Sequence, residues 1–291
     1  MEDVRQTDAD HEFAEHRGLL QAVAYRVLGS VTEAEDVVQD AWLRWRRVDT
    51  ATVEDAEGYL VRVVTRLAID RLRSARVRRE SYVGPWLPEP MLTAPDVADD
   101  VLLAESVSTA MLLIMENLSP TERAVFVLSE AFGYRSTEIA RITGRNEAAV
   151  RQIAHRAKRA VEARRRRYDT DQETRQRVTE LFRDACLGGD VRALLEILAP
   201  DVTIVSDGGG TTGAPRKPIH GREYVAKAIV VLGRRRPDDS RARVVQLNGG
   251  PGIVVHSGRT PVLAITLHLV DGEVETVHVV SNPEKLRALA L

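Results

Sequence analysis

Apolar positions recur at helical intervals as far as about residue 197, and mostly at strand-like intervals after it. Three amphipathic helices are predicted between residues 10 and 80. Phe13, Leu19, Leu20, Val23, Ala24 and Val27 form one stripe, which Gly29 ends. TEAEDVVQDAWLRWRRV follows, with Ser30 or Thr32 as its cap. Glu33, Glu35 and Asp36 sit in its first turn, where the helix dipole favours anions. Val37, Ala41 and the run from Leu43 to Val48 make its buried side; Trp42 is expected in the core, and Trp45 is left open. The third helix, DAEGYLVRVVTRLAIDRLRSARVRRE, turns Leu60, Val63, Val64, Leu67 and Leu72 inward. Arg62, Arg66, Asp70, Arg71, Arg73, Arg76, Arg78 and Arg79 crowd its other side.

Residues 81–97 break every period. Gly84, Pro85, Pro88, Pro90 and Pro95 predict an extended, semi-rigid connector. Trp86, Leu87 and Met91 within it would each be costly to leave in water, at about 25 cal/mol per Å2 of apolar area, so the connector is expected to dock on something. A helix is predicted from about Val97 to Asn117. Ser119, Pro120 and Glu122 then spell an N-cap, a first-turn proline and a capping box. From Ser136 onward, Ile139, Ala140, Gly144, Val150 and Ile153 fall at the spacing of a helix-turn-helix. Gly144 supplies the positive φ of a tight turn, and Asn146 caps the second helix. The outer face of that helix carries Arg145, Arg151, His155, Arg156, Lys158 and Arg159. A cationic helix of this kind can enter a major groove; the plainer alternative is an αα-hairpin with a solvated basic face.

Beyond residue 168 the pattern predicts a capped helix, a short helix stopping at Pro200, the strand DVTIVSD, a Gly208–Gly210 turn and the helix GREYVAKAIVVLGRR. Four strands close the chain, the last two joined by the hairpin signal Asp271-Gly272. Helices followed by a curved antiparallel sheet make an α+β cone.

Composition adds limits. A chain of 291 residues suits two or three domains, and its net charge of −2 means that the cationic helices are local features. Cys186 is the only cysteine, which excludes an intrachain disulfide and a Cys-rich zinc site. The opening MEDVRQTDADHEF lacks the apolar core of a signal peptide, and no apolar run approaches the ~18 residues of a membrane span. A cytoplasmic protein is expected. No cofactor, metal or catalytic set is read. Asp207, His220, His268 and His278 are acid–base candidates with no defined pairing, and the glycine run lacks the GK[ST] ending of a phosphate loop.

EAEDVVQDAWLRWRR followed by YLVRVVTRLAIDRLR, ahead of a helix-turn-helix, resembles regions 2.2 to 2.4 of bacterial sigma factors of the extracytoplasmic-function group. The resemblance implies that Glu35, Asp36, Gln39, Asp40 and Leu43 dock on the RNA polymerase core. It implies that the third helix, with Arg66, Asp70, Arg71 and Arg73, engages the −10 element. Arg66 stands where family members often have Asn, so the base preference does not carry over. Arg145, Asn146, Arg151, His155, Arg156 and Arg159 would read the −35 element of promoter DNA. The C-terminal order of elements resembles a SnoaL-like domain. WLPEP (86–90), DGGG (207–210) and NPEKL (282–286) together resemble a sigma subgroup carrying such a domain, taken to act in place of a separate anti-sigma protein.

The expected fold is therefore two helical sigma domains plus an α+β cone-shaped SnoaL-like domain. The expected divisions are 1–80 (region 2), 81–97 (linker), 98–167 (region 4) and 168–291 (regulatory domain). Trp86, Leu87, Pro88, Asp207, Gly208, Gly209, Gly210, Asn282, Pro283, Glu284, Lys285 and Leu286 are expected to form one contact region. A small-molecule ligand of the last domain is left open. The alternatives are a ligand-sensing helix-turn-helix regulator and a fused cyclase or isomerase-type enzyme.

Overall fold

The computed structural model describes residues 2–93, 107–164, 170–234 and 237–290. It contains two compact units. One comprises Met1–Glu80 with Ile114–Arg164, the other Ser81–Leu113 with Arg165–Leu291.

The first unit is helical. α1 (Glu2–Leu28) starts well before the apolar stripe and ends where Gly29 takes a φ of 69°. Ser30, rather than Thr32, caps α2 (Val31–Trp45), its hydroxyl accepting from the Glu33 amide at 3.0 Å. α3 (Ala56–Glu80) buries Leu60, Val61, Val64, Ala68 and Leu72 against α1 and α2.

The tryptophan expectation is corrected. Trp45 is fully buried and donates its indole N–H to the Ala9 carbonyl at 2.9 Å, whereas Trp42 is half-buried and bonds Asp10. Helical phase explains it: Trp45 lies between Val38 and Ala41 on the buried stripe, while Trp42 lies about 60° round the axis from Trp45, at the stripe's edge.

α4 (Thr109–Met115) is the described part of the helix expected from Val97; residues 97–106 lie outside the described residues. α5 (Pro120–Phe126) has the full Ser119–Glu122 capping box. α6 (Ser136–Thr143) and α7 (Glu147–Glu162) meet at Gly144, which has φ 68° and ψ 30°. Asn146 caps α7, accepting from the Ala149 amide at 2.8 Å, and Ile139, Ile142, Val150 and Ala157 are buried.

The second unit builds on α8 (Gln172–Gly188), α9 (Val191–Ile197), β1 (Leu198–Asp207), β2 (Ile219–His220), α10 (Arg222–Arg234), β3 (Ser240–Leu247), β4 (Gly250–Ser257), β5 (Thr260–Val270), β6 (Glu273–Val280) and α11 (Pro283–Leu286). The strands form one sheet in the order β2-β1-β6-β5-β4-β3. β3 to β6 is an antiparallel meander, and the Asp271-Gly272 hairpin has positive φ at both residues. The expected all-antiparallel sheet is corrected at one seam, where β1 runs parallel to β6. No hairpin ties these two strands, so no turn fixes their relative direction. Pro200 falls inside β1, not before it, at an irregular stretch of the pairing where a missing N–H costs little.

Strand alternation divides the sheet's faces. Ile204, Ile253, Val255, Ile265, Val277 and Val279 pack with α8, α9 and α10. Val254, Ala264 and Val280 point the other way and enclose Leu87 with Leu247, Leu286 and Leu289.

Candidate functional site

Four sets of side chains follow from these elements. The first is on α2. Glu35, Asp36, Gln39, Asp40 and Leu43 are all exposed at spacings that place them on one face, and Leu43 is 44 % exposed. An exposed leucine among carboxylates presents an apolar contact rimmed by acceptors.

The second set lies on α3 and is engaged in pairs. Arg71 pairs with Asp36 and lies 3.8 Å from Glu33, which links it to the acidic face. Asp70 and Arg73 pair with each other at 2.9 Å. Arg66 donates Nε to the Ile142 carbonyl at 3.0 Å, at the end of α6. A Cβ at Gly144 would lie 3.3 Å from the Arg66 guanidinium, so a glycine there serves both the turn and this contact.

The third set is α7 and the turn before it. Arg145, Arg151, His155, Arg156 and Arg159 are exposed, with Arg151, His155 and Arg159 spaced by four. Asn146 spends its side-chain oxygen on the cap. Arg151 pairs with Glu147 on its own helix, and Arg156 pairs with Glu122 of α5 at 2.7 Å. Hydrogen bonds from Ser119, followed by the charge of Arg156, hold the Glu122 carboxyl below its usual range. Such exposed pairs are worth at most about 1 kcal/mol and exchange readily for a phosphate.

Beneath these surfaces is a buried network that the sequence pattern did not show. Arg123 of α5 is fully buried, donates to the Arg26 carbonyl at 3.1 Å and pairs with Glu116. Arg79 of α3 pairs with the same carboxylate and donates to the Leu28 carbonyl at 3.0 Å. Arg76 donates to the Glu116 and Leu118 carbonyls. Burial works against the Glu116 carboxylate, but Arg123 and Arg79 outweigh it and hold its pKa below the usual range.

The fourth set is in the second unit and gathers three distant segments. Asp207, at the end of β1, is fully buried. Its carboxylate accepts from the Leu87 amide (2.8 Å), the Tyr82 hydroxyl (2.5 Å), Lys285 Nζ (2.7 Å) and the Gly209 amide (3.1 Å). Lys285 also donates to the Leu87 carbonyl at 2.5 Å and lies 4.3 Å from the Trp86 ring centre. Asn282 caps α11 through the Glu284 amide and donates to Tyr82. Burial, then the bond to Asp207, raises the Tyr82 pKa, so it remains a donor.

The glycines fit this packing. A Cβ on Gly208 would meet Thr212 at 2.2 Å, one on Gly209 would meet Asn282 at 2.5 Å, and one on Gly210 would meet Val83 at 3.0 Å. Leu87, Pro88, Lys285 and Leu286 are buried; Trp86 is half-buried, and Pro283 and Glu284 are exposed at the start of α11.

The sequence missed Tyr82. It also missed the far end of the linker strap, residues 82–93, where Leu92 bridges Leu247 and Thr93 and Met91 bond Gln246 and Asn248. Edge pairing of this kind depends on a distant strand's register and leaves no local signal.

The acid–base candidates do not converge. Asp207 is committed to the strap, His220 bonds Thr203, and His268 lies 3.5 Å from Glu275. His278 is buried on the strap side of the sheet, and burial, then His268, lowers its pKa to about 3. Among the described residues, none of the four lines the half-open cavity of about 620 Å3 between α8, α10 and the sheet. Among the described residues, no helix is long and apolar enough to cross a membrane, and no group of three potential metal ligands occurs.

Comparison with known proteins matches residues 13–78 to sigma-70 region 2 and residues 108–161 to sigma-70 region 4. The ECF RNA polymerase sigma factor SigJ of Mycobacterium tuberculosis is 36% identical over 289 residues, covering 94% of this chain and 92% of that protein. A second protein of that species, described as "Probable ECF RNA polymerase sigma factor SigI", is 32% identical over 287 residues, covering 94% and 93%. The crystal structure of the M. tuberculosis extracytoplasmic function sigma factor SigJ superimposes with a TM-score of 0.75 at 32% identity, covering 96% of this chain and 98% of that one.

Proposed function

The chain belongs to the ECF RNA polymerase sigma factors, which direct transcription initiation with RNA polymerase at promoter DNA, and on that premise we propose how its surfaces divide the work. Residues 1–80 act as the region 2 module. Its exposed α2 face, Glu35, Asp36, Gln39, Asp40 and Leu43, docks on the polymerase core, and Arg66, Asp70, Arg71 and Arg73 of α3 engage the −10 element. Residues 98–167 act as the region 4 module, reading the −35 element through Arg145, Asn146, Arg151, His155, Arg156 and Arg159. The linker 81–97 is held by the 168–291 domain, which regulates the rest of the chain in cis. No separate anti-sigma protein is needed, the chain acts in the cytoplasm, and it is not an enzyme.

One observation supports the docking assignment above the others: a leucine 44 % exposed at the C-terminal end of an acidic, glutamine-bearing helix face. The charge segregation supports the DNA assignments, because a chain of net charge −2 gathers seven arginines on α3 and four cations on α7. For the −10 role, Arg66 has to exchange its bond to Ile142 for nucleic acid. The in-cis reading draws on Asp207 and Lys285, which spend their polar groups on Tyr82 and Leu87 of the linker. That same commitment leaves Asp207 no part in acid–base chemistry, which supports the non-enzymatic reading.

The test uses the full chain with purified core polymerase. Asp40→Ala together with Leu43→Ala is expected to weaken core association at least tenfold while leaving duplex binding unchanged. Undiminished association would remove α2 from the interface. Arg151→Ala is expected to cost about 1–3 kcal/mol of discrimination between promoters if it bonds a base; an equal loss on all sequences would make it a phosphate contact.

A further inference from the structure

We infer that the cone cavity binds an uncharged, predominantly apolar small molecule, and that its occupancy loosens the linker strap. The cavity's volume, about 620 Å3, is within the range of small-molecule sites, roughly 300–1,000 Å3. Its walls are Phe182, Ile204, Ile229, Val255, Ile265 and Val279 with their apolar neighbours. Water in such a space finds few hydrogen-bond partners, so the natural occupant is itself apolar. Among the described residues, the charged ones on the lining are Arg183 and Lys227; Arg183 is paired with Asp184 at 2.7 Å, and Lys227 is exposed beside Tyr224. A buried charge on the ligand would therefore meet no buried countercharge among the described residues. Hydroxyls gather at one end instead: Ser206, Thr212 and Ser281, with the last two 3.0 Å apart. They suit a single hydroxyl or carbonyl on an otherwise apolar molecule.

That polar end is also the back of the strap anchor. Ser206 lines the cavity, and its chain neighbour Asp207 faces the linker. Ser281 lines the cavity, and its neighbour Asn282 bonds Tyr82 of the linker. The Ser281 and Asn282 amides both donate to the Asp207 carbonyl, at 2.8 and 3.1 Å. Thr212 to Pro215 form one wall, and the same loop carries Gly210 against Val83 and Arg216 against Gly84. A ligand that takes the Thr212 or Ser281 hydroxyl breaks their mutual bond, which ties this loop to the residue after β6. The displacement has a one-residue path to the Leu87 amide held by Asp207.

The inference goes beyond the transcriptional reading, and its test needs no polymerase, so the two fail separately. The full chain is titrated with the neutral fluorophore N-phenyl-1-naphthylamine. Alkylation of Cys186 by N-ethylmaleimide is followed alongside; it is the only cysteine in the sequence and lies on the cavity wall. Expected are saturable 1:1 binding, at least tenfold slower alkylation of Cys186 with probe bound, and at least threefold faster hydrogen exchange of the Leu87 amide. Ala228→Phe, which fills the cavity, and Leu187→Trp, at a 41 % exposed lining position that tolerates change, should each weaken probe binding tenfold or more. No saturable binding, or binding undiminished in the folded variants with Cys186 unprotected, overturns the site. Unchanged or slower exchange at Leu87 overturns the coupling.

Discussion

Asp207 and Lys285 are charged side chains that water scarcely reaches, at 0 % and 7 % exposure. Such a pair is tolerable only when its remaining hydrogen-bond capacity is met, here by Tyr82, the Leu87 amide and the Leu87 carbonyl. Asp207→Asn removes the countercharge and leaves Lys285 buried, which should cost about 3 kcal/mol locally. The check is hydrogen exchange at Leu87, expected to accelerate by two orders of magnitude or more; wild-type protection in the variant would show that the anchor lies elsewhere. His278 makes a pH prediction. Its folded pKa of about 3 is below the roughly 6.5 of an unfolded histidine, so the unfolded state takes the proton first. Stability is therefore complete above about pH 6.5 and falls as pH drops toward 3, by up to ~1.4 kcal/mol per pH unit. His278→Leu should flatten that slope in pH-dependent thermal unfolding of the full chain, beside the unchanged His268–Glu275 pair. At this scale the sequence marked Asp207, Lys285 and the glycines as one group. It did not mark Tyr82, whose role depends on a hydroxyl reaching 125 residues along the chain.

Among the elements, caps and turns were the most legible, because their chemistry is local. Ser119 with Glu122, Asn146 and Gly144 each occupy the position that their side chain or backbone freedom dictates. Asn146→Ala should destabilise α7 by about 1 kcal/mol, measured as a lower urea midpoint for the helical unit and weaker duplex binding. Gly210→Val is more severe, since it combines a φ of 74° with a Cβ 3.0 Å from Val83. It should expose the linker to proteolysis between Tyr82 and Leu92 while leaving the sheet's unfolding transition in place; an uncut linker would count against the packing. The parallel β1–β6 seam, the Leu92–Leu247 bridge and the assignment of Trp45 rather than Trp42 to the core were not legible. The first two are pairings between remote segments. The last required the helix phase to better than one residue.

At the scale of the whole molecule, the chain leaves the helical unit at Ser81, contributes its linker to the second unit, and returns at Ile114. Composition located the proline-rich break, but it could not show that Leu87 completes a core built from β4, β5, β6 and α11. The helical unit has its own fastening in Glu116 with Arg123 and Arg79. Glu116→Leu leaves the buried Arg123 and the half-buried Arg79 without their countercharge and should cost about 3 kcal/mol, seen as early unfolding of that unit by near-ultraviolet dichroism. The account's central claim is tested most directly by run-off transcription from pooled genomic fragments with core polymerase and the full chain. It expects initiation at discrete start sites that share a −35 and −10 pair, with Arg151→Ala redistributing their use. Transcripts indistinguishable from those of core polymerase alone would contradict it.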